Sequence, residues 1–512
     1  MEGGEKRNRN EPSRSGPCRD MKDGSSQTDC RIRGHGPRLS KVNLFTLLSL
    51  WMEMFPRDPP EEKEEEEEEE EEDSRQIRGM GLVVVQEGKV VGLHCSGPEL
   101  HAGQAAVLQH GVRLAESQLY FSRRPCATCL KMIINAGVSQ ISFWPGDPEI
   151  SMLESTPPGA VREEAALLDA VATEKLKSNS RPHVCVLLQP LTPDLLQFVN
   201  ETSRDCDFRE RPNEDDPAAG DGFNRERVRY LRAFSRRFLV CTSQQHKEIL
   251  TQMGLENFCA EPYFCNLRHD MRELVEVLAA VAAGVPRHRH GFHREQSRTS
   301  WGPQEEVAQE VARHCIIQAR LLAYRTEDPK VGVGAVIWAK GKRVGFGGTG
   351  HLSLVGCGYN AYPAGSKYAE YPQMDTKQED RQRRKYRYMI HAEQNALTFR
   401  TRDIRAEEPT MLFVTKCPCD ECVPLIRGAG ITHIYTSDQD RDKDKGDISY
   451  LRFSSLTDIS KFIWQRNPSD SPAASSHLLN GYLGKHDRQP QLETNRNKKL
   501  CTQRPSGAPS GC

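Results

Sequence analysis

Two stretches of the chain alternate hydrophobic and polar positions in the way that strands and helices packed in layers do. In the first stretch, two apolar, β-branched runs flank the turn dipeptide Glu87-Gly88, which predicts a pair of strands joined there. The other predicted elements are a helix from near His101, a strand at Leu119–Phe121, a helix from Cys126 to Asn135, and strands at Ile141–Trp144 and Val184–Leu188. This order is typical of an α/β domain.

The second stretch repeats this order of parts. Its predicted elements are a helix from Glu306 to Tyr324, a strand at Val331–Trp338, a helix from His391 to Phe399, a strand at Met411–Val414, a helix from Cys419 to Arg427 and a strand at Ile431–Tyr435. In both stretches one helix begins at His-Ala and a later helix begins at Pro-Cys-x-x-Cys. We interpret the repeat as a diverged internal duplication that gives two tandem domains.

Changes in composition divide the rest of the chain. The polar ends hold too few apolar side chains to form a core, and a run of glutamates repels itself and stays solvated. In chain order the predicted segments are disordered (1–40), apolar (41–56), an acidic linker (57–76), a first α/β domain (77–190), a helical and charged connector (191–300), a second α/β domain (301–465) and a disordered tail (466–512). The sequence does not show whether the connector packs on a domain.

Two short segments resemble transport signals. Residues 41–56 contain Leu44, Leu47 and Leu50, a spacing found in leucine-rich nuclear export signals and equally in an amphipathic helix that packs on a neighbouring domain. Basic clusters at 485–488 and 496–499 fit a bipartite nuclear localisation signal, a pattern that is common by chance. Together they predict a cytoplasmic and nuclear protein with export and import receptors as partners.

Composition narrows the class of function. A net charge of -1 over 512 residues gives no general attraction to nucleic acid or to membranes. The apolar stretch near the N-terminus is too short to cross a bilayer, which needs ~20 residues. The 17 cysteines, without an apolar leader, favour a reducing compartment where clustered cysteines bind metal or act in catalysis.

The strongest chemical signal is His391-Ala-Glu393 followed by Pro418-Cys419-x-x-Cys422. Two cysteines three residues apart at a helix start place both sulfurs on one side, where unpaired backbone N–H groups favour thiolate. With a nitrogen of His391 they supply three zinc ligands and leave the fourth tetrahedral position to water, as in catalytic zinc sites. Zinc lowers the pKa of such a water from about 15.7 to about 7.

Glu393 lies two residues beyond His391 on a helix and therefore points away from the metal, toward a substrate. There it can move protons between the water, the ring nitrogen and the departing ammonia, which is typically worth ~10²–10⁴ in rate. The combination is the signature of zinc-dependent nucleobase deaminases. A structural zinc knot or a redox pair is the alternative, which the His-x-Glu motif and the proline before Cys419 disfavour.

Several motifs in the second domain resemble the cytidine/deoxycytidylate deaminase superfamily, and most closely the deoxycytidylate deaminases. They are Thr326-Glu-Asp-Pro-Lys-Val-Gly-Val-Gly-Ala, Gly358-Tyr-Asn-Ala-Tyr-Pro-Ala-Gly, His391-Ala-Glu-Gln-Asn-Ala and Pro418-Cys-Asp-Glu-Cys. The resemblance implies a mixed five-stranded sheet covered by helices in each domain, substrate binding by Asn360 and Ala392, and a homo-oligomer that completes its active sites at subunit contacts. Ala361 departs from the glycine that the family often has there.

The first domain carries the ligand types without the acid. Cys126 and Cys129 keep the Cys-x-x-Cys spacing, but His101 is followed by Gly103 where the second domain has Glu393. The Gly-Tyr-Asn segment has no equivalent here. We therefore predict a degenerate domain that binds a second zinc and does not deaminate, in a structural, oligomeric or nucleotide-binding regulatory role.

These observations predict a zinc-dependent hydrolase that converts cytidine, deoxycytidine or their nucleotides (dCMP or dCTP) to the uracil forms and releases ammonia. Basic residues before His391, among them Arg383 and Arg384, can bind a nucleotide phosphate, with a solvated helix face as the alternative.

The rival functions are a polynucleotide deaminase, which needs basic grooves and stacking aromatics, and a regulatory protein without activity. Near-neutral charge and 7% aromatic residues weigh against the first rival, and the intact second motif weighs against the other.

Overall fold

The computed structural model describes residues 37–56, 79–149, 160–209, 221–287, 289–295, 306–328, 332–341, 347–366, 387–437 and 449–467. The chain divides into a compact unit, Met1–Arg466, and a C-terminal unit, Asn467–Cys512, of which the structure describes only Asn467. The predictions for residues 1–36, for the acidic linker 57–76, for Arg383 and Arg384, and for the basic clusters of the tail fall outside the described residues. No helix in the described ranges is both long enough and apolar enough to cross a membrane.

The described strands form two mixed sheets. The first sheet contains, in the spatial order β2-β1-β3-β4-β5, the strands β1 (Gly81–Gln86), β2 (Lys89–Cys95), β3 (Gln118–Phe121), β4 (Gln140–Phe143) and β5 (His183–Cys185). The second sheet contains, in the order β6-β11-β10-β9-β7-β8, the strands β6 (His290–Arg294), β7 (Gly334–Lys340), β8 (Leu352–Tyr359), β9 (Thr410–Val414), β10 (His433–Thr436) and β11 (Ser460–Arg466).

Helices cover these sheets and lie between them. They are α1 (Lys41–Met52), α2 (Ala102–His110), α3 (Ala127–Asn135), α4 (Ala160–Ser178), α5 (Leu195–Arg204), α6 (Asp221–Phe238), α7 (Ser243–Gln252), α8 (Tyr263–Ala283), α9 (Gln309–Ala323), α10 (Ala392–Thr398), α11 (Cys422–Gly428) and α12 (Leu451–Ser454). Mixed α/β layering agrees with the predicted fold class.

Five strands of each sheet pair in the same pattern. An antiparallel hairpin (β1-β2, β7-β8) is followed by an antiparallel neighbour and then by two parallel strands. Both hairpins have an irregularity at the same place, between Val84 and Val85 and between Ile337 and Trp338. Five strands are as predicted for the first sheet. For the second sheet the prediction is wrong, because β6 adds a sixth strand antiparallel to β11.

The predicted connector, residues 191–300, supplies that sixth strand and also part of the core. The C-terminal half of α8 is an almost uninterrupted apolar run, and Leu274, Val275 and the residues from Val277 to Ala283 are fully buried. Arg313 of α9 donates through Nε to the carbonyl of Val285, 2.8 Å away, just after α8. The described parts of the connector therefore pack against α9 and the second sheet.

Helix α1 lies between the two sheets. Leu44, Leu47 and Leu50 are buried together with the residues on the other faces of the helix, so α1 is not amphipathic. It contacts β1 and β3 of the first sheet as well as α9, which packs on the second. Packing was one of the two alternatives for residues 41–56, and the export signal stays a prediction.

Polar contacts fix both ends of α1. The N–H of Leu39, whose side chain is fully buried, donates to the carbonyl of Tyr324, 2.9 Å away. Residues 37–40 are therefore ordered, which corrects the predicted disorder of 1–40 at its last four positions. At the other end the buried Glu53 carboxylate accepts from Arg123 at 2.7 Å and from Arg237 at 2.8 Å.

The two sheets also meet directly where β2 lies against β8. The N–H of Gly348 donates to the carbonyl of Cys95, 3.0 Å away. The ammonium of Lys89, at the start of β2, lies 4.0 Å from the centre of the Phe399 ring, at the end of α10. The predicted tandem domains therefore belong to one compact unit rather than to two separate ones.

Candidate active site

The second sheet brings His391, Cys419 and Cys422 together; we call these three residues the second site. His391 is the N-cap of α10, where its N–H donates to Gln394 Oε1 at 2.9 Å. Its ring Nδ1 lies 3.2 Å from Cys419 Sγ and 3.3 Å from Cys422 Sγ. Helix α11 begins at Cys422, later than predicted, but a turn in which the Cys422 N–H donates to Cys419 O still places both sulfurs beside the histidine.

The donors of the second site fit a zinc ion. Tetrahedral zinc with Zn–S and Zn–N bonds of about 2.3 and 2.0–2.1 Å brings its N and S donors to about 3.5 Å from each other. The observed separations are slightly shorter, and all three donor atoms lie within 4.8 Å of one another. A hydrogen bond from Cys422, with help from His391, lowers the pKa of Cys419 to about 4, so this sulfur is held as the thiolate that binds metal.

Glu393 stands in the first turn of α10 with 4% of its surface exposed. Burial raises the pKa of this carboxyl to about 7, against the opposing effect of His391. A carboxyl group with a pKa near neutrality can both accept and release a proton at physiological pH.

Glycine allows α10 to lie directly on β8. A Cβ at Gly358 would be 2.6 Å from the nitrogen of Ala396 and 2.7 Å from the oxygen of Ala392, both helix backbone atoms. Asn395 fixes the same contact, because its Nδ2 donates to the carbonyl of Tyr359 at 2.7 Å. The sequence offered Gly358 only as part of a family motif. Its packing role was missed, although glycine inside a strand is itself a signal of close backbone approach.

The residues assigned to substrate binding are both buried near this contact. Asn360 Oδ1 accepts from the N–H of Val333 at 2.8 Å and from the Thr326 hydroxyl at 2.7 Å, so it joins residues that follow α9 to a residue just before β7. Ala392 is fully buried in the first turn of α10. Their contact with substrate stays a prediction.

The first sheet gathers a matching set, His101, Cys126 and Cys129, which we call the first site. His101 is the N-cap of α2, with its N–H donating to Gln104 Oε1 at 3.0 Å, and Cys126 is the N-cap of α3. The Nδ1 of His101 lies 3.3 Å from Cys126 Sγ and 3.6 Å from Cys129 Sγ. As expected from Gly103, no acid is present on the first turn of α2.

Sequence reasoning missed a fourth member of the first site. Glu149, in the loop after β4, places Oε1 at 3.1 Å from His101 Nδ1. All four donor atoms lie within 4.8 Å of one another, whereas the second site has three such donors among the described residues. No motif surrounds Glu149, so only the folding of its loop back over α3 shows that it belongs here.

The register of the hairpins shows that the first sheet does have a segment equivalent to Gly-Tyr-Asn, which corrects the expectation that it has none. Cys95 pairs with Gly81 as Tyr359 pairs with Gly334, so His94-Cys95-Ser96 occupies the place of Gly358-Tyr-Asn. Ser96 Oγ accepts from the N–H of Met80, which corresponds to the bond from Val333 to Asn360. The first sheet therefore has the equivalent segment with different residues.

Comparison with known proteins agrees with this geometry. Residues 308–437 match the family described as the cytidine and deoxycytidylate deaminase zinc-binding region. The chain is 33% identical over 138 residues to the deoxycytidylate deaminase of Homo sapiens, covering 27% of this chain and 70% of that protein. A solved structure of the dCMP deaminase from cyanophage S-TIM5 in complex with dCMP and dUMP is 22% identical. The match covers 31% of this chain and 99% of that chain, with a TM-score of 0.23.

One relative matches along nearly its whole length. It is cytidine and dCMP deaminase domain-containing protein 1 of Danio rerio, 57% identical over 452 residues, which cover 87% of this chain and 94% of that protein. The chain therefore belongs to the family of cytidine and dCMP deaminase domain-containing protein 1, among the cytidine and deoxycytidylate deaminases.

Proposed function

We propose that the chain is a zinc-dependent hydrolytic deaminase that converts cytidine, deoxycytidine or a nucleotide of either, such as dCMP or dCTP, to the uracil form. The observation that carries the proposal is the buried Glu393 carboxyl on the same helix turn as the His391 ligand. Family membership supports the reaction class, and the name of the human relative supports a nucleotide as substrate.

The residues of the second site have separate roles in this reaction. His391, Cys419 and Cys422 would hold the zinc ion, which when bound makes water a nucleophile at neutral pH. Glu393 accepts a proton as the water oxygen bonds to C4 of the cytosine ring and delivers it to N3. Glu393 then takes the proton of the new C4 hydroxyl and delivers it to the exocyclic amino group. The C4–N bond breaks as C4=O forms, so that water and cytosine give uracil and ammonia.

The residues that we assign to recognition of the substrate's phosphate lie outside the described ranges. Arg383 and Arg384 precede α10, and guanidinium groups recognise phosphate through paired hydrogen bonds. We propose that they bind the nucleotide phosphate. Reversing both charges should then lower kcat/KM for the nucleotide far more than for the nucleoside, and equal losses for both substrates would contradict this role.

Two accompanying proposals concern the protein as a whole. A homo-oligomer is expected from the resemblance, and movement between cytoplasm and nucleus is expected from the two candidate signals. Sedimentation of the purified protein and the location of a tagged full chain would test them independently of catalysis.

The decisive experiment measures ammonia release by the purified, zinc-loaded full chain. The substrates are cytidine, deoxycytidine, their mono- and triphosphates, and a cytosine-containing single-stranded oligonucleotide. We expect turnover of at least one monomer and none of the oligonucleotide. Turnover of the oligonucleotide alone would indicate a polynucleotide deaminase, and no turnover of any substrate by protein with metal in the second site would overturn the enzymatic function.

A further inference from the structure

Glu149 approaches the first site from the side on which a metal would lie. The same ring atom, His101 Nδ1, faces Cys126 Sγ, Cys129 Sγ and Glu149 Oε1 at 3.3, 3.6 and 3.1 Å. A carboxylate that merely orients a metal-binding histidine accepts from the other ring nitrogen, which is turned away from the metal. Glu149 therefore occupies the position of a ligand rather than that of an orienting group.

Two backbone hydrogen bonds fix the Glu149 carboxylate in this position. Its own N–H donates to the carbonyl of Arg124 at 3.0 Å, and its Oε2 accepts from the N–H of Cys126 at 3.1 Å. Only 8% of the side chain is exposed. Oε2 is thus engaged by the start of α3, and Oε1 is left facing the histidine and the sulfurs.

We propose that the first site is a closed metal centre, in which His101, Cys126, Cys129 and Glu149 fill all four positions around a zinc ion. Zinc accepts this set of one nitrogen, two thiolates and one carboxylate, and sites with four protein ligands are structural. Glu149 Oε1 takes the position that a hydrolytic zinc site leaves to water. The inference goes beyond the proposed function, because it concerns the sheet that lacks the catalytic acid.

The surroundings of Gly103 support a site built for binding alone. A Cβ at Gly103 would lie 3.0 Å from Cys129 Cβ, 3.2 Å from Cys129 Sγ and 3.1 Å from Ile133 Cδ1. These distances are tighter than ordinary van der Waals contact, so a side chain at this position requires Cys129 or Ile133 to move by a few tenths of an ångström. The first site is therefore packed tightly where the second site carries its acid.

The closed centre would fasten three elements of the first sheet to one another. It joins the starts of α2 and α3 to the loop after β4. The same loop is tied to α6 by Trp144, whose Nε1 donates to the carbonyl of Phe238 at 2.7 Å. Metal in the first site would therefore hold the β4 loop between the sheet and the connector helices.

Metal analysis of the full chain tests the ligand set. Wild-type protein should contain two zinc ions per chain. In Glu149→Gln, which keeps the shape and can still accept from the Cys126 N–H, one ion should pass to a chromogenic chelator at least about 10-fold faster than in wild type. Glu99→Gln, a matched change of an exposed glutamate before α2, should leave both release rates unchanged. One zinc per chain in wild type, or equal release from both variants, would overturn the proposal.

Cobalt replacement tests whether the site is closed. In the cobalt-loaded full chain, azide should alter the visible absorption of one ion of two, because the second site has an open position. In Glu149→Ala both ions should respond, and thermal unfolding shows whether the variant is folded. A response from both ions with Glu149 intact would show that the first site is open and would overturn the proposal.

Discussion

Both sheets place a histidine before one helix and two cysteines at the start of the next, yet they surround these ligands differently. At the second site Glu393 stands buried beside the histidine, and the described residues supply three donors. At the first site Gly103 replaces the acid and Glu149 adds a fourth donor. The shared scaffold places the same three ligand types in both sheets, and the two sites differ by one side chain on the helix after the histidine and by one in the loop after β4. Under the proposed function these two differences separate a catalytic site from a structural one.

The largest expected effect comes from removing the acid on which the comparison depends. Glu393→Gln should lower kcat for ammonia release by ~10²–10⁴, because an amide cannot carry the proton. The zinc content should stay at two per chain, since Glu393 is not a ligand. Glu149→Gln should keep most of the activity. A Glu393→Gln protein with wild-type kcat would remove the distinction between the two sites.

The first sheet carries a pair of buried histidines that the second sheet lacks at the position of Gly358, and this pair should make the stability of the protein depend on pH. His94, in the place of Gly358, lies with Nε2 at 3.0 Å from His110 Nε2. Burial lowers the pKa of His94 to about 3, assisted by His110, and burial with Arg113 lowers that of His110 to about 4. Both rings are therefore neutral in the folded protein, while the unfolded chain protonates them below pH 6.5.

This difference makes the folded state lose stability as the pH falls from about 6.5 toward 4. At pH 5 the loss is about 2 kcal/mol for each histidine relative to neutral pH. Thermal unfolding between pH 7.5 and 5 should therefore show a steeper fall in Tm for wild type than for His94→Gln/His110→Gln. Identical slopes would mean that the pair does not carry the effect.

Substitution of Gly103 puts back the acid that the first site lacks. Gly103→Glu should destabilise the protein by about 1–3 kcal/mol, because the added side chain overpacks against Cys129 and Ile133. In the Glu393→Gln background it should recover no ammonia release. Gly428→Glu is the matched control, since a Cβ there meets nothing within 4 Å, and it should leave Tm nearly unchanged. Activity from Gly103→Glu/Glu393→Gln would show that the first site is only one substitution away from catalysis.

Local patterns account for the parts of this molecule that could be predicted. The hairpin turn at Glu87-Gly88, where both residues have positive φ, and the helices that begin after His101 and His391 depend on neighbouring residues alone. The two sets of three ligands follow from the positions of histidine and cysteine at and just before helix starts. Helix α11 starts later than predicted, because the turn between Cys419 and Cys422 has the same residue spacing as a helix.

Features that depend on distant segments could not be predicted. The sequence of α1 is equally compatible with export-receptor binding and with packing, and only the position between two sheets decides that all its faces are buried. Strand β6 pairs with β11, far away in the chain, and no local pattern distinguished it from the connector. Glu149 joins the first site only because its loop folds back to the start of α3, where its carboxylate accepts from the N–H of Cys126.

The smallest predicted effect tests how far the first sheet supports the second site. The Lys89 ammonium lies over the Phe399 ring at the end of α10, and cation–π contacts contribute about 0.5–1 kcal/mol where they are partly exposed. Lys89→Met should therefore lower Tm by about 1–2 °C and change kcat less than about twofold. Lys175→Met, an exposed lysine of α4, should change neither. If Lys89→Met instead reduced kcat as strongly as Glu393→Gln, the first sheet would be part of the catalytic machinery, because a purely supporting contact cannot remove a proton-transfer step.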